Sequence, residues 1–279
     1  MTHPQAPLAI VTGASGGIGA CVARRLARRG YRLALLGRDT HRLANLQAEL
    51  HAGPGCTTLA LDLADPAPRR RALVNLLAEQ GPAEVVVNNA GYNVYRRFVD
   101  TAADEHDAIT QVNYHAAIEL TRLALPAMLE RRRGWVINVT SVSAKMGPWG
   151  HAAYAAAKAA LVTTTQSLAA EHPRTGVHFT YVNPGIVDTA YYHGPAMGPL
   201  WQSVRRHAIP PDAVARRIET LLDRPRLELA VPRHYRILDW LTAFSPTLCH
   251  RLVASHSRPA EAPTTTAAEV PPAPAKAEG

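Results

Sequence analysis

Tyr154 and Lys158 stand four residues apart in HAAYAAAKAAL, and Ser141 lies thirteen residues upstream in INVTSVS. An Ala-rich stretch favours helix, and residues four apart share one helix face. The spacing therefore predicts an ammonium one turn from a phenol. A free phenol titrates near ~10, too high for acid–base work at neutral pH. A fixed cation beside it stabilises the phenolate and is expected to pull that value down. A tuned tyrosine next to a hydroxyl donor is what reduction of a carbonyl requires. Surface helices also carry Tyr/Lys pairs at this spacing by chance, so the pair takes its meaning from the elements around it.

The first of these elements is a glycine turn. Thr12-Gly13-Ala14-Ser15-Gly16-Gly17-Ile18-Gly19 ends the apolar run LAIVTG and opens an amphipathic stretch. Gly13, Gly17 and Gly19 have the spacing G-x-x-x-G-x-G. Glycine lets a backbone approach a pyrophosphate, and a helix N-terminus presents free N–H groups and a positive dipole end. In strand–turn–helix context Gly13, Ser15, Gly16, Gly17, Ile18 and Gly19 read as a dinucleotide cradle, against the plainer reading of a tight packing turn. The same octet formally matches the hydrolase elbow G-x-S-x-G at Ser15. That elbow follows several earlier strands, and here a dozen residues precede it, so the hydrolase reading is set aside. The second apolar run ends Leu36-Gly37-Arg38-Asp39. An acidic residue at this place would accept the ribose hydroxyls of NAD. Gly37 stands there and Arg38 follows. A guanidinium suits a 2′-phosphate, which favours NADP over NAD unless Asp39 points at the ribose instead.

In this chain of 279 residues, apolar runs and amphipathic stretches alternate up to about residue 232. Strands are predicted at 8–13, 32–38, 57–63, 85–91, 134–141, 177–185 and 228–232. Helices are expected between them, including one over 104–131 bent near Pro126. This order predicts an α/β, Rossmann-type, doubly wound parallel sheet of about seven strands with helices on both faces. Residues 1–232 are expected to form the catalytic domain, with a substrate loop at 190–211. Residues 233–257 form a helical extension, and 258–279, rich in Pro, Ala and Thr, a disordered tail. No run approaches the roughly 18 apolar residues of a transmembrane helix, and the N-terminus lacks the pattern of a secretory signal, so a cytoplasmic location is expected. The net charge of +8 comes largely from Arg24/Arg25/Arg28/Arg29, Arg69 to Arg71 and Arg131 to Arg133. These read as solvated helix faces rather than a nucleic-acid surface, because no recognised nucleic-acid module accompanies them. Cys21, Cys56 and Cys249 are odd in number and have no metal-ligand spacing, so no metal is expected. The sequon Asn138-Val139-Thr140 falls in a predicted strand and is discarded as a glycosylation site.

Taken in order, these residues resemble the short-chain dehydrogenase/reductase family over about Leu8 to Thr189. The elements that carry the resemblance are TGASGGIG at 12–19, Asp62 and Leu63 in LDLAD, NNAG at 88–91, Asn113 in QVNYHA, Ser141, Tyr154 with Lys158, and NPGIVDT at 183–189. The resemblance implies that Asp62 and Leu63 border the adenine, and that Asn88, Asn89, Ala90 and Gly91 line the cofactor. Tyr154 would donate a proton to the carbonyl oxygen or remove one in oxidation, with Ser141 hydrogen-bonded to that oxygen. Lys158 would bind the nicotinamide ribose, and Asn113 would hold a water linking Lys158 to solvent. Pro184, Gly185 and Thr189 would border the nicotinamide. One departure concerns the coenzyme. Some NADP-using members carry a basic residue at the position of Gly16, so the NADP expectation rests on Arg38.

The segment after Thr189 is punctuated by Gly and Pro and covers the substrate in the family. Tyr191, Tyr192, Met197, Leu200 and Trp201, with Trp149 and His151, suggest an apolar, aromatic lining for a hydrophobic ketone or secondary alcohol. From Tyr235 to Val253, Ile237, Trp240, Leu241, Phe244, Leu248 and Leu252 recur at helical spacing, with Ser245-Pro246 restarting a second helix. Flanking arginines allow three readings: peripheral membrane contact, a subunit contact, or a lid. Some lipid- and steroid-handling relatives carry a similar extension. The expected activity is NADP(H)-dependent hydride transfer acting on CH–OH/C=O groups in a homo-oligomer. The competing reading is a non-catalytic NADP(H)-binding sensor on the same fold. The set Ser141, Tyr154, Lys158 and Asn113 argues against it, since a sensor needs no proton relay.

Overall fold

The computed structural model describes residues 6–50, 55–193 and 197–257; the segment expected to be a disordered tail, 258–279, lies outside the described residues. In chain order the elements are β1 (Leu8–Thr12), α1 (Gly17–Arg28), β2 (Arg32–Gly37), α2 (Thr40–Glu49), β3 (Cys56–Ala60), α3 (Pro66–Gln80), β4 (Ala83–Asn88), α4 (Ala103–Thr110), α5 (Ala116–Glu130), β5 (Gly134–Val139), α6 (Ala152–Glu171), β6 (Val177–Pro184), α7 (Ala190–His193), α8 (Gly198–Val204), α9 (Pro211–Glu219), β7 (Glu228–Val231), α10 (Arg236–Phe244) and α11 (Pro246–Ser257). The strands form one parallel sheet in the order β3-β2-β1-β4-β5-β6-β7.

Side chains alternate across a strand, and β1 divides its residues accordingly. Ala9 and Val11 join Leu33, Leu35, Val85 and Val87 on one face under α1, α2 and α9. Leu8 and Ile10 join Leu36, Val86, Leu73 and Leu120 on the other, under α3 and α5. Burial on both faces explains why the strands read as continuous apolar runs. Each large aliphatic side chain so buried contributes roughly 1.5–3 kcal/mol. The strand order reverses between β1 and β4. In an open α/β sheet the crevice at such a reversal, at the carboxyl ends of the strands, is where ligands bind.

Most of the clustered arginines are exposed, and several of them are also ion-paired. Arg25 of α1 pairs with Asp212 and Glu219 of α9 at 2.8 and 2.7 Å, Arg29 with Asp223, and Arg24 with Glu49. Arg69 departs from the expected solvated face: it is buried. Its guanidinium donates to Glu119 of α5 at 2.6 Å, to the Leu63 carbonyl at 2.7 Å and to Gln111 at 3.1 Å, and so holds the loop after β3. Asn138 of the discarded sequon is buried in β5 and bonds to Asn88 and Thr165.

The helix expected over 104–131 is present as a continuous helical run from Ala103 to Glu130, with one irregularity inside it. A π-helical segment, Gln111–His115, separates α4 from α5, while α5 continues past Pro126 to Glu130. A π segment inserts an extra residue into the helical ladder, often at functional sites, and this one carries Asn113. The C-terminal helices pair as a hairpin. Cys249 is buried between them and its Sγ lies 3.3 Å from Thr242 Oγ1.

Candidate active site

At the carboxyl end of β1 the chain turns sharply into α1. Gly13 has φ +66, and Gly19 packs so tightly that a Cβ there would lie 2.3 Å from the Gly13 carbonyl oxygen. No side chain caps α1, which starts after Gly16, so its first N–H groups face the crevice without intrahelical partners. Thr12 fixes the turn to the loop after β4. Its Oγ1 accepts from the amides of Asn89 and Ala90 at 2.9 and 3.0 Å, while Asn89 Nδ2 donates to the carbonyls of Thr12 and Gly13. Ser15 packs on Gly37 and Thr189 on Gly17; Ile18 packs on the core. Replacing Gly19 by Ala is expected to weaken NADPH binding at least about tenfold and to cost ~1–3 kcal/mol of stability, because backbone must move to admit the methyl. Coenzyme fluorescence titration and thermal melting measure both.

Of these residues Gly13, Ser15, Gly16, Gly17, Ile18, Asn89, Ala90 and Thr189, but not Thr12 or Gly19, line one cleft of about 620 Å³ that also includes Arg38, Asp62, Leu63, Ser141, Tyr154 and Lys158, within the usual size of a ligand site. Arg38 is exposed at its edge, 5.9 Å from the Tyr92 ring. Asp39 also lines the cleft, with its carboxylate engaged on the helix that follows. Its carboxylate caps α2 by accepting from the Arg42 amide at 2.9 Å and pairs with the Arg42 guanidinium at 3.2 Å. Arg42 also lines the cleft, a second cation that the motif left unnoticed because it sits three residues into a helix. Asp62 turns back to accept from the Ala64 amide at 3.0 Å.

The loop after β4 divides. Asn88 points into the core, donating to Asn138 and Thr121, while Asn89, Ala90 and Gly91 border the cleft. Asn113 is 1% exposed. Its Nδ2 donates to the carbonyls of Tyr92 and Ile109, both at 2.8 Å. Its Oδ1 is buried with no protein partner and lies 2.5 Å from where a Cβ on Gly91 would begin, with Lys158 Nζ 3.2 Å from the same point. Lys158 is 2% exposed and donates to the Val139 carbonyl at 2.9 Å. Ser141 sits just beyond β5, its Oγ accepting from the Ser143 amide at 3.1 Å. Tyr154, in the first turn of α6, lies within reach of both Ser141 and Lys158.

The electrostatics differ from the simple expectation of a phenol tuned downward by a lysine. Burial raises the Tyr154 phenol above its ordinary value, and hydrogen bonding with the Ser141 and Tyr191 hydroxyls only partly offsets this. Burial also pushes Lys158 down to about 7. A desolvated ammonium that readily loses its proton exerts less of the field that would stabilise a phenolate. Both shifts favour the neutral, protonated form of the Tyr154 phenol. His151 completes this neutral environment. It is buried 5.9 Å from the Tyr154 ring, with Nδ1 2.8 Å from the Trp149 carbonyl, and burial lowers its pKa.

On the remaining side, Pro184 ends β6, and Pro184, Gly185 and Thr189 border the cleft. Of the residues expected to line the substrate space, Tyr191 and Tyr192 do so. Met197 and Leu200 are buried. Trp201 packs 5.7 Å from Tyr192, and Trp149 packs 4.7 Å from Tyr95. Tyr191 has a further relation that spacing did not indicate: its ring is 6.1 Å from that of Tyr154 and its hydroxyl bonds to the phenol. No signal in the sequence marks it, because the contact joins α6 to the chain beyond β6.

A parallel sheet with its crevice at the β1/β4 reversal, a glycine turn opening α1, and a Ser–Tyr–Lys centre at one end of that crevice define a Rossmann-type oxidoreductase. The chain belongs to the short-chain dehydrogenase/reductase family: the family model described as short chain dehydrogenase matches residues 7–194. It is 31% identical over 263 residues to dehydrogenase/reductase SDR family member 7B of Bos taurus, covering 89% of this chain and 81% of that protein. It is 33% identical over 226 residues to oxidoreductase UcpA of Escherichia coli, covering 80% and 82%. Among solved structures it is similar to a short-chain dehydrogenase of Streptomyces avermitilis, with TM-score 0.75 and 28% identity over 90% of this chain and 96% of the other. It is also similar to a short-chain dehydrogenase of Sphingobium yanoikuyae solved with NADPH, with TM-score 0.74 and 27% identity over 92% and 98%. No helix among the described residues is long and apolar enough to cross a membrane.

Proposed function

We propose that the protein is an NADP(H)-dependent oxidoreductase that transfers hydride between the nicotinamide and a hydrophobic ketone or secondary alcohol. The observation that carries this reading is the convergence of Ser141, Tyr154, Lys158 and Asn113 at one end of the cleft whose other end is the glycine turn. The residues fit the coenzyme. Gly13 and Gly19 leave the backbone bare, α1 offers uncapped N–H groups, Arg38 and Arg42 supply positive charge, and Asn113 Oδ1 is a buried acceptor beside Lys158. Structural relatives solved with NADP or NADPH support the choice of coenzyme.

When bound, NADPH supplies the hydride. This chain's residues do the rest. As negative charge grows on the carbonyl oxygen, the Tyr154 hydroxyl donates its proton and the Ser141 hydroxyl holds the oxygen in line. Burial suits Tyr154 to this task, because an acid that keeps its proton at neutral pH is charged for the reduction direction. Lys158 and Asn113 lie on the path by which that proton is replaced. The aromatic wall of Tyr191 and Tyr192, the latter backed by Trp201, favours a bulky apolar substrate. Residues 1–232 would form the catalytic unit and 233–257 an extension upon it.

Purified protein mixed with NADPH and a panel of ketones should consume the coenzyme, read by its absorbance. NADPH binding without turnover of any carbonyl would favour the sensor reading instead. For the coenzyme, Arg38→Ala should reduce the preference for NADP over NAD about tenfold, the worth of one charge-assisted hydrogen bond of ~1.5 kcal/mol. An unchanged ratio of the two affinities would remove Arg38 from the argument.

A further inference from the structure

The C-terminal hairpin has two faces with different chemistry. Its inner side closes on the candidate active site. The Tyr235 ring, just ahead of α10, lies so near Gly185 that a Cβ there would be 2.5 Å away. At the far end of α11, Ser257 Oγ accepts from the Trp149 amide at 3.0 Å, and the Ser257 carbonyl accepts from the Tyr95 hydroxyl. The hairpin is thus tied at one end to the loop beside the nicotinamide position and at the other to the loop that leads into Tyr154.

Its outer side is apolar and exposed. Ile237, Trp240 and Phe244 recur at i, i+3 and i+7 and so form one stripe of α10. They are 70%, 62% and 78% exposed, and Leu248 of α11 adds 48%. The Trp240 and Phe244 rings stack with centroids 5.6 Å apart. An apolar patch of this kind marks an interaction surface. Arg233, Arg236 and Arg251 stand exposed on the same hairpin, and the sequence from 233 to 257 sets these three arginines against a single acid, Asp239.

We propose that this face docks on an anionic lipid surface, with the Trp240/Phe244 stripe in the interfacial region and the arginines against the headgroups. Rings that reach the acyl boundary, flanked by cations at headgroup level, are the physical signature of a helix lying in a membrane interface. A second copy is the poorer occupant. A two-fold contact through this face would bring two sets of three arginines together, whereas an anionic surface neutralises them. Docking would bring the hairpin that flanks the cleft to the phase in which a hydrophobic substrate dissolves. That consequence rests on the proposed reaction; the docking itself does not.

The full-length protein, without substrate, is tested by co-sedimentation with vesicles of phosphatidylcholine alone and of phosphatidylcholine mixed with phosphatidylglycerol. Binding is expected to the mixed vesicles, and to weaken as salt is raised. The double substitution Trp240→Ser with Phe244→Ser should weaken it at least roughly tenfold, as expected for losing two buried rings. Arg233→Gln with Arg236→Gln and Arg251→Gln should remove the preference for anionic lipid. These side chains are exposed, and NADPH binding by each variant checks that the fold is retained. Failure to bind mixed vesicles at low salt overturns the proposal, and so does binding that the Trp240/Phe244 pair leaves unchanged. If the same pair instead lowers the mass of the vesicle-free protein by light scattering, with no lipid binding in wild type, the face is a contact between copies. Turnover enters none of these readouts, so a failed reaction and a failed docking are told apart.

Discussion

Tyr154→Phe is expected to lower kcat for carbonyl reduction by about 10³-fold or more while leaving the Kd for NADPH within a few-fold of wild type. The substitution removes one oxygen and keeps the ring. The packing of that ring against His151 and Tyr191 is retained, and the glycine turn that would hold the coenzyme lies at the other end of the cleft. What disappears is the proton. Ser141 remains as a hydrogen-bond donor to the carbonyl oxygen, but a serine hydroxyl has no acidity to match the growing alkoxide. The lost bond between Tyr154 and Ser141 should alter stability by only ~1 kcal/mol. Steady-state kinetics with NADPH and a ketone, alongside coenzyme titration, separate the two effects. Turnover persisting within tenfold of wild type would show that another group delivers the proton, and Tyr191, bonded to the same phenol, would be the first to examine.

The second large effect concerns Lys158 and is two-sided. Lys158→Met should abolish most activity yet stabilise the coenzyme-free protein by a few kcal/mol near pH 7. The sign follows from burial. An exposed lysine titrates near ~10.4, and Lys158 in the folded chain is pushed down to about 7. Between these values the unfolded chain holds a proton that the folded chain has released, so the contribution of Lys158 to stability improves as pH rises from about 7 toward ~10. Below about 7 the folded chain carries a desolvated ammonium and the full penalty applies. Methionine has similar length and no charge to bury. The stability gap between mutant and wild type should therefore be widest at or below pH 7 and should close as pH rises. Urea unfolding of both proteins across this range measures it. Comparing the pair cancels other titrations, such as the buried Cys56 thiol and the Tyr31 phenol, which burial raises to about 11 and about 12 and which act in the opposite direction above pH 9. A gap that stays constant with pH would mean that the ammonium is not penalised by its surroundings.

A lysine that costs stability where it stands is the pattern of a functional group held against its own solvation. The orphaned Asn113 Oδ1 beside it belongs to the same pattern, since a buried acceptor without a partner carries a penalty of its own. Asn113 lies in the π-helical segment between α4 and α5, and Lys158 reaches the same point from α6. The periodicity over 104–131 conceals that segment. A π insertion changes the register by one residue, and the apolar spacing on either side still reads as a helix.

Local chemistry made much of the protein legible from its residues. The apolar runs became strands most clearly in β1, β2 and β4, which are buried on both faces and built largely of Val, Ile, Leu and Ala. The glycine turn was readable because only glycine fits where the Gly13 carbonyl and Gly19 meet. Tyr154 and Lys158 were readable because four-residue spacing on a helix is a geometric statement. By itself, then, the sequence determined the fold class, the order of strand, turn and helix, and which residue types face one crevice.

Tertiary structure alone decided how those groups behave. Whether Arg69 is solvated depends on Glu119, fifty residues away. The Tyr154 phenol is raised, and Lys158 pushed down to about 7, because the folded chain strips water from both. Spacing along a chain encodes direction on an element. Charge state depends on burial, and burial is supplied by residues that only the folded protein brings near.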